Sequence, residues 1–154
     1  MGEQIKLKPA VVGPEEGRRI HVLGDGVTCK LDGQTTGGGF SVFESVVPPG
    51  GGPPPHVHHR EDETFFVVEG EIEFWVNGQT IPAKAGTWVF GPRGVPHRFH
   101  NPSKSESRMM IVVTPAGIER FFDEMAREVP TMPPDMEKVM AVCAKYGIEI
   151  LPRK

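Results

Sequence analysis

The stretch that decides the fold reads GGGPPPHVHHREDETFFVVEG, from Gly50 to Gly70. Its glycines and prolines make a rigid loop that delivers the chain into His56-Val57-His58. Two residues apart on an extended segment, the imidazoles of His56 and His58 point to the same side. Glu63 then opens a run of β-branched and aromatic residues that Gly70 breaks. On that strand Phe65, Val67 and Glu69 share the face of Glu63, and Phe66 and Val68 lie opposite.

A second stretch, GTWVFGPRGVPHRFHN from Gly86 to Asn101, brings in His97 beside a turn. Gly86, Gly91 and Gly94, with Pro92 and Pro96, fix that turn. His56, His58, Glu63 and His97 together offer three imidazoles and one carboxylate. Such an N3O set suits one divalent transition metal, Fe, Ni, Co, Mn, Cu or Zn, with geometry and supply choosing among them. An octahedral ion held this way keeps two positions open, enough for a substrate and O2 or water. His59 follows His58 directly, so its side chain faces the other way, into solvent. His21 and His100 lack ligand spacing and read as ordinary polar residues. Asn101 is expected to hydrogen-bond backbone at the turn.

Outward from these stretches the chain is short strands between breaks. Arg18–Leu23, Val27–Leu31 and Phe40–Val47 precede the histidine loop, with a flexible stretch at Thr35–Gly39. In the third strand Ser41, Phe43, Ser45 and Val47 share one face. Glu71–Val76 closes on Asn77-Gly78, a type I′ hairpin signal. Thr80–Pro82, Thr87–Phe90, His97–Asn101 and Arg108–Val113 follow. After Val113 the period becomes helical. Thr114-Pro115 predicts a helix start, and Ile118, Phe121, Phe122 and Met125 form one apolar stripe. Beyond a linker at Pro130–Pro134, Met136, Val139, Met140 and Cys143 repeat that spacing, and Gly147 supplies the stop. Ile148–Leu151 is a short apolar tail. The fold class is therefore mainly β with two C-terminal amphipathic helices.

Gly50, His56, His58, Glu63 and Gly70, then Gly86, Pro92, Gly94, His97 and Asn101, match the two cupin motifs at every defining position. The fifteen residues between Gly70 and Gly86 match the short spacing of small bacterial cupins. The sequence thus resembles the single-domain, or monocupin, type of that superfamily. The resemblance implies a double-stranded β-helix, a jelly-roll barrel with the metal inside and His56, His58, Glu63 and His97 as its ligands. It divides the chain into an N-terminal arm at 1–19, the barrel at 20–114 and a helical extension at 115–154. It also implies a homodimer, for which the arm and the helices offer apolar surface.

A small-molecule substrate would sit at the open metal positions. Phe65, Val67, Ile72, Phe74, Phe99, Met109, Ile111 and Val113 are the candidates to line its pocket. No cluster of Arg or Lys awaits a phosphate, so an aromatic or enolic compound fits better than a sugar phosphate. The segment Pro115–Phe122 resembles the tail that follows the barrel in quercetinase-like cupins. That likeness implies a dioxygenase opening a flavonol with O2, with Glu63 as the catalytic group that takes the substrate proton. The alternatives are a metal-dependent isomerase, epimerase or lyase, and a cupin that binds a small molecule without converting it.

The bulk composition narrows the field further. The net charge is −3 with both signs interspersed, which argues against nucleic acid as a partner. No apolar stretch is long enough to span a bilayer, and Met1–Ala10 lacks the apolar region of a secretory signal. Cys29 and Cys143 are far apart and outside any CxxC pair, so two reduced thiols in a cytoplasmic setting are expected.

Overall fold

Alternation of inward and outward side chains along each strand builds the molecule, and it also aims the site residues. The structure, a computed structural model, describes residues 6–152. In chain order the elements are β1 Arg18–Val22, β2 Asp25–Leu31, α1 Gly33–Thr36, β3 Ser41–Val47, β4 His56–His58, β5 Asp62–Glu69 and β6 Glu71–Val76. They continue with β7 Gln79–Lys84, β8 Trp88–Gly91, β9 His97–His100, β10 Ser107–Thr114, α2 Ile118–Glu128, α3 Met136–Lys145 and β11 Ile148–Ile150. The strands form two sheets, a six-stranded one in the order β1-β2-β3-β10-β5-β8 and a five-stranded one in the order β11-β4-β9-β6-β7.

β10 runs antiparallel between β3 and β5, so Ile111 faces Phe43 on one side and Phe65 on the other. Phe43, Val47, Phe65, Val67, Met109, Ile111 and Val113 are buried on this inner face. Opposite them, the five-stranded sheet contributes Ile72 and Phe74, with Phe74 paired to Phe99 of β9. The main core lies between the two sheets, where each large apolar side chain contributes about 1.5–3 kcal/mol. Asn77 and Gly78 both take positive φ, 47° and 86°, as a type I′ hairpin requires.

Several local expectations need correction. Thr35–Gly39 is not a flexible stretch throughout: α1 forms because the Asp32 carboxylate accepts from the Thr35 N–H at 2.9 Å and caps it. Thr114-Pro115 does not start the first long helix. α2 begins at Ile118 with Gly117 as N-cap, and the Glu119 carboxylate accepts the Gly117 N–H at 3.0 Å. On α3 the buried stripe is Val139, Val142 and Cys143, while Met136 and Met140 are half exposed. The tail after Gly147 is a strand, β11, which joins the five-stranded sheet.

Residues 1–5 of the expected N-terminal arm lie outside the described residues. The arm that precedes β1 is pinned by Lys30, whose ammonium donates to the carbonyls of Gly13, Pro14 and Glu16. Ile118, Phe121 and Met125 of α2 are buried, and α2 packs on β1 and on α3. Cys29 and Cys143 are both free and buried, and burial pushes each thiol up to about 11.

Candidate metal centre

Glu63 follows the same alternation as Phe65 and Val67, so β5 turns its carboxylate into the space between the sheets. It belongs to the six-stranded sheet, opposite Val113 of β10 and Gly91 of β8. The three imidazoles come from the facing sheet. His56 and His58 lie on β4, and His56 pairs directly with His97 of β9. One ligand atom from each of His56, His58, Glu63 and His97 falls within 4.8 Å of the others. His58, Glu63 and His97 are buried, and His56 is partly so.

The far sides of two of the three rings are held by backbone carbonyls. His56 Nδ1 lies 2.9 Å from the Pro54 carbonyl, and His97 Nδ1 lies 3.0 Å from the Val95 carbonyl. Carbonyls only accept, so both rings carry their proton on Nδ1 there and turn a bare Nε2 to the centre when neutral. His58 Nδ1 faces the buried Glu61 Oε2 at 3.4 Å, and neither atom has a hydrogen-bond partner. Inside, Glu63 Oε2 stands 2.6 Å from His97 Nε2 and 3.3 Å from His58 Nε2. Convergent Nε2 atoms, with the Nδ1 sides of His56 and His97 braced by carbonyls, are what a transition-metal site needs, and the donor set fits such an ion.

Electrostatics agree with the geometry. Burial alone would push the Glu63 carboxyl up. The charge of His58 and the hydrogen bond from His97 outweigh it and bring the group down to about 2. Burial, then the nearby His58 charge, bring His56 down to about 4. For His58 burial acts downward too, but Glu63 and then Glu61 raise its pKa overall.

The loops that carry these residues are tied together. Gly50 N–H donates to the Asn101 carbonyl at 2.9 Å, and Asn101 N–H donates to Gly51 at 3.0 Å. A side chain at Gly52, whose φ is 127°, would run into the Phe99 carbonyl. The Asn101 amide donates to the carbonyls of Val47 and Ser105, a backbone role as expected from the sequence. His59 is exposed and pairs with Glu149 at 3.0 Å. His21 is exposed and His100 half-buried, both outside the cluster.

Of the eight residues expected to line a substrate pocket, Phe65, Val67, Ile72, Phe74, Met109, Ile111 and Val113 are buried in the core, and Phe99 packs against it. Phe65 reaches the centre, its ring 5.9 Å from that of His97 and 6.0 Å from that of Phe99. A groove of about 510 Å³ opens elsewhere, between β1 and α2, lined in part by Ile20, Ala126 and Met132. None of its lining residues belongs to the metal cluster. The sequence reading passed over Glu61 and the carbonyls of Pro54 and Val95. The only signal for Glu61 is its place three residues after His58, among other charged residues.

Residues 43–113 match the sequence profile of the cupin domain. The chain carries a cupin domain. Among relatives, it is 28% identical over 85 residues to the polyketide synthase CurC of Streptomyces cyaneus, covering 55% of each chain. The match thus spans about half the length of that relative. Among solved structures, the cupin domain resembles a predicted oxalate decarboxylase from Thermotoga maritima. That match has a TM-score of 0.62 and 25% identity, over 68% of this chain and 98% of the other. An oxalate oxidase matches at a TM-score of 0.52 and 29% identity, over 62% of this chain and 54% of the other. KdgF from a Halomonas species shares the fold at a TM-score of 0.65 and 17% identity, over 73% of this chain and 99% of the other.

Proposed function

We propose that this cupin binds one divalent transition metal through His56, His58, Glu63 and His97 and acts as a dioxygenase on an enolic or aromatic small molecule. The observation that carries the reading is the convergence of three imidazoles, two of them braced by backbone carbonyls, and one buried carboxylate within 4.8 Å. The metal would supply Lewis acidity to a substrate hydroxyl and a meeting point for substrate and O2. Glu63 is ionised and aimed at the same space, the state a proton acceptor needs. Phe65, beside His97, offers an aromatic surface to a flat substrate. The likeness to a protein named as a polyketide synthase supports an enolisable substrate, because polyketides carry acidic C–H groups between carbonyls. The likeness to an oxalate oxidase supports O2 as co-substrate.

A second reading, an O2-independent lyase or isomerase, draws on the likeness to the predicted oxalate decarboxylase. Both readings use the same ligands and differ in their use of O2.

The test begins with the metal content of untagged protein, beside a His56→Ala, His97→Ala double variant. About one equivalent per chain, lost in the variant, is expected. The loaded protein is then offered flavonols, catechols, 1,3-dicarbonyls and oxalate, with and without air. Product that carries both atoms of labelled O2 supports the dioxygenase. Equal turnover without air establishes the second reading. Saturable binding without product leaves a non-catalytic binding protein, and no metal uptake on reconstitution removes the ligand assignment.

A further inference from the structure

β4 is three residues long, yet it carries two of the three imidazoles. Against β9 it is registered only at His56↔His97. Its other side is covered along its full length by β11, with His58 opposite Ile148, Val57 opposite Glu149 and His56 opposite Ile150. Hydrogen bonds continue the pairing at both ends. His59 N–H donates to the Gly147 carbonyl at 2.9 Å, and Leu151 N–H donates to the Pro55 carbonyl at 2.9 Å. Pro55 follows Pro54, whose carbonyl holds the Nδ1 side of His56. On the outside, Glu149 holds His59 at 3.0 Å, and the Arg60 guanidinium donates to the Lys145 carbonyl at 3.2 Å. Ile148 is buried, and α3 packs on β11, so the strand is itself fixed in place.

A three-residue strand with one bridge to its neighbour has few hydrogen bonds against the entropy of ordering it. On the β9 side the Gly94 N–H adds one bond to the His58 carbonyl at 2.8 Å; the three-residue pairing and its two flanking bonds come from the C-terminal segment, about ninety residues further along the chain. We propose that β11 and its flanking residues Gly147 and Leu151 are positioning residues of the metal centre, setting the orientation of the His56 and His58 imidazoles. This rests on the metal-binding reading above. Outer-shell partners act on a metal by fixing ligand orientation, and losing one costs about 10–100-fold in affinity.

The experiment uses full-length protein titrated with Co(II), followed by ligand-field absorption and by competition for the dissociation constant. Leu151→Pro removes the N–H that reaches Pro55, at a position preceded by extended backbone that tolerates proline. Glu149→Ala removes the grip on His59, and Glu149→Gln retains an acceptor for it. Ile20→Val, on β1 of the other sheet, is the control for general loss of stability. The expected result is about tenfold or more weaker Co(II) binding and a shifted absorption band in Leu151→Pro. Glu149→Ala should lose less, Glu149→Gln should recover, and Ile20→Val should keep wild-type affinity and spectrum. Wild-type affinity and spectrum in Leu151→Pro overturn the proposal, as does an equal loss in the control. If Leu151→Pro fails to fold, the Glu149 pair decides, and equal binding by wild type, Glu149→Ala and Glu149→Gln overturns it. A wild-type chain that takes up no Co(II) overturns the metal reading and this proposal with it, an outcome visible before any variant is compared.

Discussion

Glu63 faces three imidazoles with one negative charge, and that imbalance sets how the centre responds to pH. For His58, Glu63 and then Glu61 raise the pKa above the usual 6.5 against the effect of burial. In the metal-free chain this pairing stabilises the fold in full below 6.5 and is lost as the pH rises through the raised value. Metal binding runs the other way, because a ligand imidazole must first give up its proton. Raising the pH from 6.5 through that raised value should therefore lower the melting temperature of metal-free protein while tightening its metal affinity. Thermal melts beside Glu63→Gln check the first half, since the variant should show a flatter slope; metal titrations across the same range check the second. Glu61 makes a separate prediction. Its carboxylate faces His58 Nδ1 at 3.4 Å, so Glu61→Gln should weaken metal binding about tenfold, measured by competition with a chelator. The four residues of the cluster were legible in the sequence because they fall in two local stretches whose spacing fixes their direction. The orientation of Glu63 could be read from Phe65 and Val67 alone. Glu61 was not legible, because a charged residue in a charged loop looks the same whether it braces a ring or meets water.

α2 is attached to the barrel by a buried carboxylate as well as by its apolar stripe. Glu119 is 8% exposed and accepts from the Gly33 N–H at 2.9 Å, the Ser41 hydroxyl at 2.7 Å and the Gly117 N–H at 3.0 Å. One side chain thus joins α2 to α1 and to β3. Burial would raise its pKa, but the bonds from Gly33 and Ser41 outweigh it and hold the carboxyl below its usual 4.5. A depressed carboxyl stabilises the fold above its unfolded value and loses that contribution as the pH falls through the folded one. Glu119→Ala should cost about 2–3 kcal/mol at neutral pH by stranding buried donors. Glu119→Gln should show a shallower loss of stability below pH 4.5 than wild type, read from denaturant melts. This element also marks where sequence periodicity stops helping. The stripe Ile118, Phe121, Met125 was legible, but Glu119 beside it looks like a surface residue until its three donors are seen. On α3, Met136/Met140 and Val139/Val142 both satisfy a helical period, and only packing against α2 and β11 chooses the second. β11 has three residues, too few to display any period. Its strand character comes from the open edge of β4, which no local pattern contains.

At the scale of the whole molecule, the homodimer expected from the sequence has more than one exposed apolar surface to draw on, for Leu7 and Val11 of the arm are exposed. The apolar stripes of the two helices are used within the chain, where Ile118, Phe121, Met125, Val139 and Cys143 are all buried. The outer face of the six-stranded sheet carries a cluster of large exposed apolar groups, with Val68 at 42%, Trp88 at 65% and Phe90 at 59% exposure. Trp88 lies against Phe66 with ring centroids 4.4 Å apart, so the patch is already ordered. It borders β8, the last strand of its sheet among the described residues, whose outer edge can pair with the β8 of a second copy about a twofold axis. An exposed apolar patch beside an outer sheet edge is a poor solution for a monomer and a good one for a dimer. The expected outcome is a dimer at micromolar concentration that Trp88→Glu, Phe90→Lys converts to monomer. Metal content per chain should be unchanged, because the ligands lie on the inner face of the sheets. Sedimentation equilibrium reads the first quantity and elemental analysis the second. A wild-type monomer sinks the dimer itself. A variant that stays dimeric moves the interface away from β8, with the exposed Met136 and Met140 on α3 the next surface to change.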